Sequence, residues 1–127
     1  MELWQLTATE ITKKIKDKEI SVRESVASAI ARSEDVNPKI NAVVSSMGSN
    51  ALEQADLLDK KIKDGDDIGI LGGVPVTVKV NIDQAGYATT NGLKIQKDLI
   101  AKHNNPIVNN LEKAGAIIIG RTNTPAF

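Results

Sequence analysis

Apolar and polar residues alternate along residues 74–82. Val74, Val76, Val78, Val80 and Ile82 take one set of positions, and Pro75, Thr77, Lys79 and Asn81 the other. A period of two is that of a strand with one apolar face, so the pattern predicts a strand with Thr77, Lys79 and Asn81 in a row on its polar face. Gly72-Gly73 before it permits a tight entry or the close approach of another backbone. Pro75, lacking an N–H, suits the first residues of a strand.

Elsewhere the period is helical. Thr7-Ala8-Thr9-Glu10 and Ser21-Val22-Arg23-Glu24 both spell capping boxes. Leu6 and Ile11 stand at the staple positions of the first, and Ile11 and Ile15 mark the inner side of a short helix ending near Lys18. Val22, Val26, Ala29 and Ile30 predict a second helix reaching about Val36, where Asn37-Pro38 should stop it. Residues 40–44 read as a short strand. Ser49-Asn50 opens a third helix with Leu52, Ala55, Leu58 and Ile62 inward and Gly65 as its expected C-cap. Residues 83–90 read as loop, with Gly86 suited to a positive φ, and residues 95–103 have no clean period. Asn105 caps a fourth helix with Pro106 at its first position, Ile107, Val108, Leu111 and Ala114 inward, and Gly115 at its end. Ala116-Ile117-Ile118-Ile119-Gly120 then forms a continuous apolar run, as in a strand buried on both faces. Helix, glycine and buried strand together indicate an α/β fold: amino-terminal helices, then part of a mixed sheet flanked by helices. The expected division is a helical part, 1–65, and a sheet-containing part, 66–127. Arg121, Thr122 and Asn123 leave the carboxyl end of the last strand, where open α/β sheets hold ligands.

Composition narrows the function classes. A chain of 127 residues is one domain at most. Sixteen basic and sixteen acidic residues cancel, and aromatics are nearly absent, which disfavours nucleic-acid or anionic-membrane binding. The chain has no cysteine and one histidine, which removes thiolate chemistry and makes a histidine-based metal site a poor expectation. It also fits a cytoplasmic protein. No apolar run is long enough to span a bilayer, and the first residues have neither the basic nor the apolar region of a signal peptide.

The candidates for chemistry are few. A strand lysine is ordinarily solvated or guards a sheet edge, so Lys79 gains interest only from its surroundings. Gly69, Gly72 and Gly73 do not spell a phosphate cradle. Ser45 and Ser46 lack a nucleophile elbow and read as loop residues. His103, among Lys102, Asn104 and Asn105, reads as a solvated loop residue. Asp64, Asp66 and Asp67 lack calcium-loop spacing. Thr122 and Asn123 stand where a substrate pocket would be lined, or where a turn would be capped.

Two blocks carry a resemblance. Gly73-Val74-Pro75-Val76-Thr77-Val78-Lys79 followed by Thr89-Thr90-Asn91-Gly92, and then residues 111–123 (LEKAGAIIIGRTN), closely resemble the amidase signature family. The capped helices before them look like that family's amino-terminal region. The resemblance implies hydrolysis or transfer of amides by a Ser–cis-Ser–Lys triad, with Lys79 in the lysine's place. It implies that both serines lie downstream, so these residues form the amino-terminal part of such an enzyme and are expected to be inactive alone. It implies no metal or nucleotide cofactor and a small amide as substrate. The chain departs from the family's usual aspartate after the lysine: Val80 stands there and cannot hydrogen-bond through its side chain.

The chemistry behind that lysine is general. A serine hydroxyl is a poor nucleophile until a base takes its proton. A lysine serves only when neutral, and burial lowers a lysine pKa by up to about 3–5 units. Burial of Lys79 is therefore expected. Two other readings stay open. One is the A subunit of an aminoacyl-tRNA amidotransferase, working with partner subunits. The other is a non-catalytic module that self-associates through unpaired strand edges as a homo-oligomer.

Overall fold

The computed structural model describes residues 1–126. After a 3-10 turn at Leu3–Gln5, the chain forms α1 (Ala8–Lys16), α2 (Val22–Ile40), β1 (Val43–Ser46), α3 (Gly48–Lys63), β2 (Pro75–Lys79), a second 3-10 turn at Lys94–Gln96, α4 (Pro106–Lys113) and β3 (Ile117–Thr122). The three strands make one mixed sheet in the order β1-β3-β2, with β3 antiparallel to β1 and parallel to β2. The part expected to be helical thus contributes a strand to the sheet. No helix among the described residues is long and apolar enough to cross a membrane.

The two expected capping boxes form. Thr7 Oγ1 accepts from the Glu10 N–H and Glu10 reaches back to the Thr7 N–H, and Ser21 and Glu24 do the same for α2. The start of α2 has a further support. The Asp59 carboxylate on α3 accepts the N–H groups of Val22 (2.8 Å) and Arg23 (3.0 Å). Since Ser21 serves the Glu24 N–H (3.0 Å), the first three helical donors are all satisfied, where an uncapped helix leaves them open.

Asn37-Pro38 does not stop α2, which runs through Pro38 to Ile40. A proline in the final turn removes only one ladder donor. Asn37 stabilises that turn by exchanging two side-chain hydrogen bonds with the Val43 backbone, both 2.8 Å. Asn41, in the left-handed conformation, ends the helix by donating its N–H to the Asn37 carbonyl. The strand expected at 40–44 is displaced accordingly to Val43–Ser46, so Ser45 and Ser46 are strand residues rather than loop residues.

β3 is the middle strand and is buried on both sides. Ile117 joins a core with Ile11 and Ile15 of α1, Val22 and Val26 of α2, Ala51 and Ala55 of α3, and Val74. Ile118 joins a second core with Met47, Val78 and Val108 of α4. The apolar residues of the alternating stretch are therefore divided between two cores, Val74 in one and Val78 in the other. The β2–β3 register shifts between Val76 and Thr77, where Ile119 lies opposite no β2 residue. Such a bulge bends a strand and re-aims its side chains.

The glycines that flank β2 and α4 meet each other. Leu71 and Gly73 donate their N–H groups to the carbonyls of Ala114 (2.7 Å) and Gly115 (3.0 Å). Gly115 has φ +90°, and a Cβ there would lie 2.0 Å from the Ile68 carbonyl oxygen. A close backbone approach of this kind is open only to glycine. It places the entry to β2 directly beside the entry to β3.

Candidate functional site

Lys79 is the last residue of β2 and lies in register with Thr122, the last residue of β3. The sheet holds both termini firmly. Val80 donates its N–H to the Thr122 carbonyl (3.0 Å), and Ile82 donates to the Lys79 carbonyl (3.0 Å), which turns the chain over at once. This turn ends the strand at Lys79, short of the Ile82 that alternation alone suggested.

The polar face of β2 is open. Thr77, Lys79 and Asn81 are exposed, and Thr122 beside them is half-buried. Among the described residues the Lys79 ammonium has no ion-pair partner. The structure thus puts Lys79 on a stiff strand end next to Thr122, but residues 1–126 do not supply the burial expected for it. Its side chain extends into solvent, and among the described residues no element packs over that face.

Asn123 is tied elsewhere. It donates its N–H to the Ala42 carbonyl (2.8 Å) and its Nδ2–H to the Asn41 carbonyl (3.3 Å), while its Oδ1 accepts from the Thr124 N–H (2.9 Å). Its side chain therefore anchors the exit of β3 to the lead-in of β1. Thr122 and Lys79 are brought together; Asn123 sits one residue further along with its amide committed to this anchor.

The loop of residues 89–92 folds toward the same end of the sheet. Gly92 packs so closely that a Cβ would lie 2.9 Å from the Thr124 carbonyl oxygen. Thr89 is buried, donates its hydroxyl to the Asp83 carboxylate and its N–H to the Leu99 carbonyl. The sequence blocks that lie apart along the chain are thus assembled at the carboxyl ends of β2 and β3, where loops gather in α/β sheets.

One buried polar centre was not expected. Arg121 lies inside β3, not beyond it, and is 1% exposed. Its guanidinium donates to Gln84 Oε1 (3.2 Å) and to the carbonyls of Ile82 (3.0 Å) and Ala88 (3.1 Å), with the Val80 carbonyl at 3.5 Å. Tyr87 offers its ring face, 6.0 Å from the guanidinium carbon. Burial pushes the Arg121 pKa below its ordinary value, and the fields of Asp83 and Tyr87 oppose that. An arginine two residues after an isoleucine run, past Gly120, was the available signal, but its burial follows from the register opposite Val78.

The remaining candidates sit apart. His103 is exposed, and so are Asp64, Asp66 and Asp67. A surface groove of about 840 Å³ lies between α1 and the turn after α3, lined by Lys13, Ile15, Ile62 and Ile68 among others. Lys79 is not part of its lining.

Comparison with known proteins gives a consistent result. The family model described as Amidase matches residues 24–127. The chain is 43% identical over 125 residues to an indoleacetamide hydrolase of Bradyrhizobium diazoefficiens, covering 98% of this chain and 24% of that protein. It is also 43% identical over 127 residues to the A subunit of the glutamyl-tRNA(Gln) amidotransferase of Carboxydothermus hydrogenoformans, covering 100% of this chain and 26% of that one. The fold superposes on the crystal structure of a bacterial aryl acylamidase of the amidase signature enzymes with a TM-score of 0.90 and 31% identity, over 95% of this chain and 26% of that one. The chain spans about a quarter of the length of the relatives it matches.

Proposed function

Since this chain belongs to the amidase family, we propose that it forms the lysine-bearing part of an enzyme that cleaves carbon–nitrogen amide bonds, with Lys79 as the proton shuttle. The observation that carries this reading is the position of Lys79. It ends a paired strand beside Thr122, at the end of the sheet where residues 89–92 and 124–125 also meet.

In this reading the neutral amine takes the proton that a serine hydroxyl loses as it attacks the amide carbonyl. The same proton then passes to the leaving nitrogen as the tetrahedral adduct collapses. The serines lie outside these residues, and so does whatever covers the open face of β2. Desolvation by that cover is part of the proposal, because an amine in bulk water is protonated near neutral pH and cannot act as a base. Thr122, half-buried and in register with Lys79, would contact the substrate or the serine relay in this reading. Asn123 would act there by fixing the strand exit.

A second reading, the A subunit of an aminoacyl-tRNA amidotransferase, is supported by the 43% identity to one such subunit over the whole chain. Assays on the complete polypeptide that carries this segment separate the two. Turnover of simple amides without partners favours a free-standing hydrolase. Ammonia release from glutamine that requires partner subunits favours the amidotransferase. In either case Lys79→Met should lower kcat by about 10²–10⁴-fold, the span of general acid–base contributions. Undiminished turnover in Lys79→Met would refute the role given to the lysine.

A further inference from the structure

We propose that Arg121 is a positioning residue for Lys79: its buried guanidinium fixes the path of residues 80–88 and so holds the end of β2. The inference rests on the reading of Lys79 as proton shuttle. The acceptors that Arg121 gathers all belong to the segment that begins one residue after Lys79: the carbonyls of Ile82 and Ala88, the side chain of Gln84 and, further off, the carbonyl of Val80. This one side chain closes the segment from its first residue to its ninth.

The charge itself makes the arrangement costly. Among the described residues Arg121 forms no ion pair, and a buried cation is tolerated only when its donors are satisfied. An apolar side chain at this buried strand position would carry no such cost. What a guanidinium adds is direction. Its donors leave a rigid planar fork at set angles, so the carbonyls that meet it are held at set positions. Gln84 passes the constraint on, donating from Nε2 to the Met47 sulfur (3.6 Å) in the second core. The Lys79 carbonyl is bonded to the Ile82 N–H, and the Ile82 carbonyl to Arg121, so the clamp reaches Lys79 through one peptide turn. A lysine at 121 would keep the charge but lose the fork.

The test compares Arg121→Lys, Arg121→Met and Lys79→Met in the complete polypeptide that carries this segment. For Arg121→Lys, kcat per folded enzyme is expected to fall about 10–100-fold with KM within about twofold, as a displacement near 1 Å of a reacting group does. Amide exchange in residues 80–88 should quicken while α4 and β1 keep their protection. Arg121→Met should lose at least as much activity; if it does not fold, Arg121→Lys decides alone. If Lys79→Met abolishes turnover while Arg121→Lys retains full kcat, the positioning role is overturned and the role of Lys79 stands. The positioning role is equally overturned if activity falls only in proportion to the folded fraction. If Lys79→Met keeps its turnover, the shuttle reading fails and the positioning role goes with it.

Discussion

The junction between α2 and α3 gives the sharpest test of how this fold is held. Asp59 sits half-buried on α3 and accepts the Val22 and Arg23 N–H groups at 2.8 and 3.0 Å, one on each carboxylate oxygen. Val22 is fully buried, so its N–H has little access to water if the carboxylate is removed. Loss of a capping side chain costs about 0.5–2 kcal/mol, and a buried donor left without a partner about 1–3 kcal/mol. The negative charge also faces the positive end of the helix dipole, a further few tenths of a kcal/mol at a partly exposed site. The Arg23 N–H is solvent-accessible and can recover water, so the terms are not summed in full. Asp59→Ala should therefore destabilise the chain by about 2 kcal/mol, with Asp59→Asn, which keeps one acceptor, near half of that. For a chain of this length the alanine variant should melt about 6–10 °C lower. Urea unfolding followed by far-ultraviolet circular dichroism reads the difference directly. The m-value should not change, because the buried surface is the same. A loss under about 0.5 kcal/mol in Asp59→Ala, or a larger loss in Asp59→Asn than in Asp59→Ala, would refute the account of a cross-helix cap.

Two further outcomes are expected. Gly115→Ala combines a φ of +90° with a Cβ placed 2.0 Å from the Ile68 carbonyl oxygen; backbone must move, and a loss above about 3 kcal/mol is expected in the same unfolding assay, whereas a near-neutral effect would show that the loop at 68–72 yields easily. Glu10 has its pKa held below the ordinary 4.5 by the backbone and side-chain hydrogen bonds of Thr7; a carboxylate with a depressed folded-state pKa stabilises above its unfolded value and loses that stabilisation as pH falls through the folded one. Glu10→Gln should therefore flatten the decline in stability between about pH 5 and pH 3, and an unchanged pH profile would remove Glu10 from the account.

The chain's local instructions were written within three or four residues, and those could be read directly. Thr7 with Glu10, Ser21 with Glu24 and Asn105 with Pro106 start their helices where the sequence places them, because a cap is satisfied by its own next turn. Alternation placed Lys79 on a strand, and the apolar run placed Ile117 and Ile118 in a doubly buried one, since side-chain direction follows from backbone period alone. Tertiary structure decided the rest. Pro38 stays within α2 because Asn37 finds Val43 across the following turn. Asp59 becomes a cap only because α3 packs against the start of α2, thirty-seven residues away in sequence. Arg121 is buried, and Lys79 exposed, because register and the bulge at Ile119 fix which neighbours each one meets. Burial and charge pairing are properties of neighbours, and neighbours distant along the chain are set by packing rather than by any local pattern.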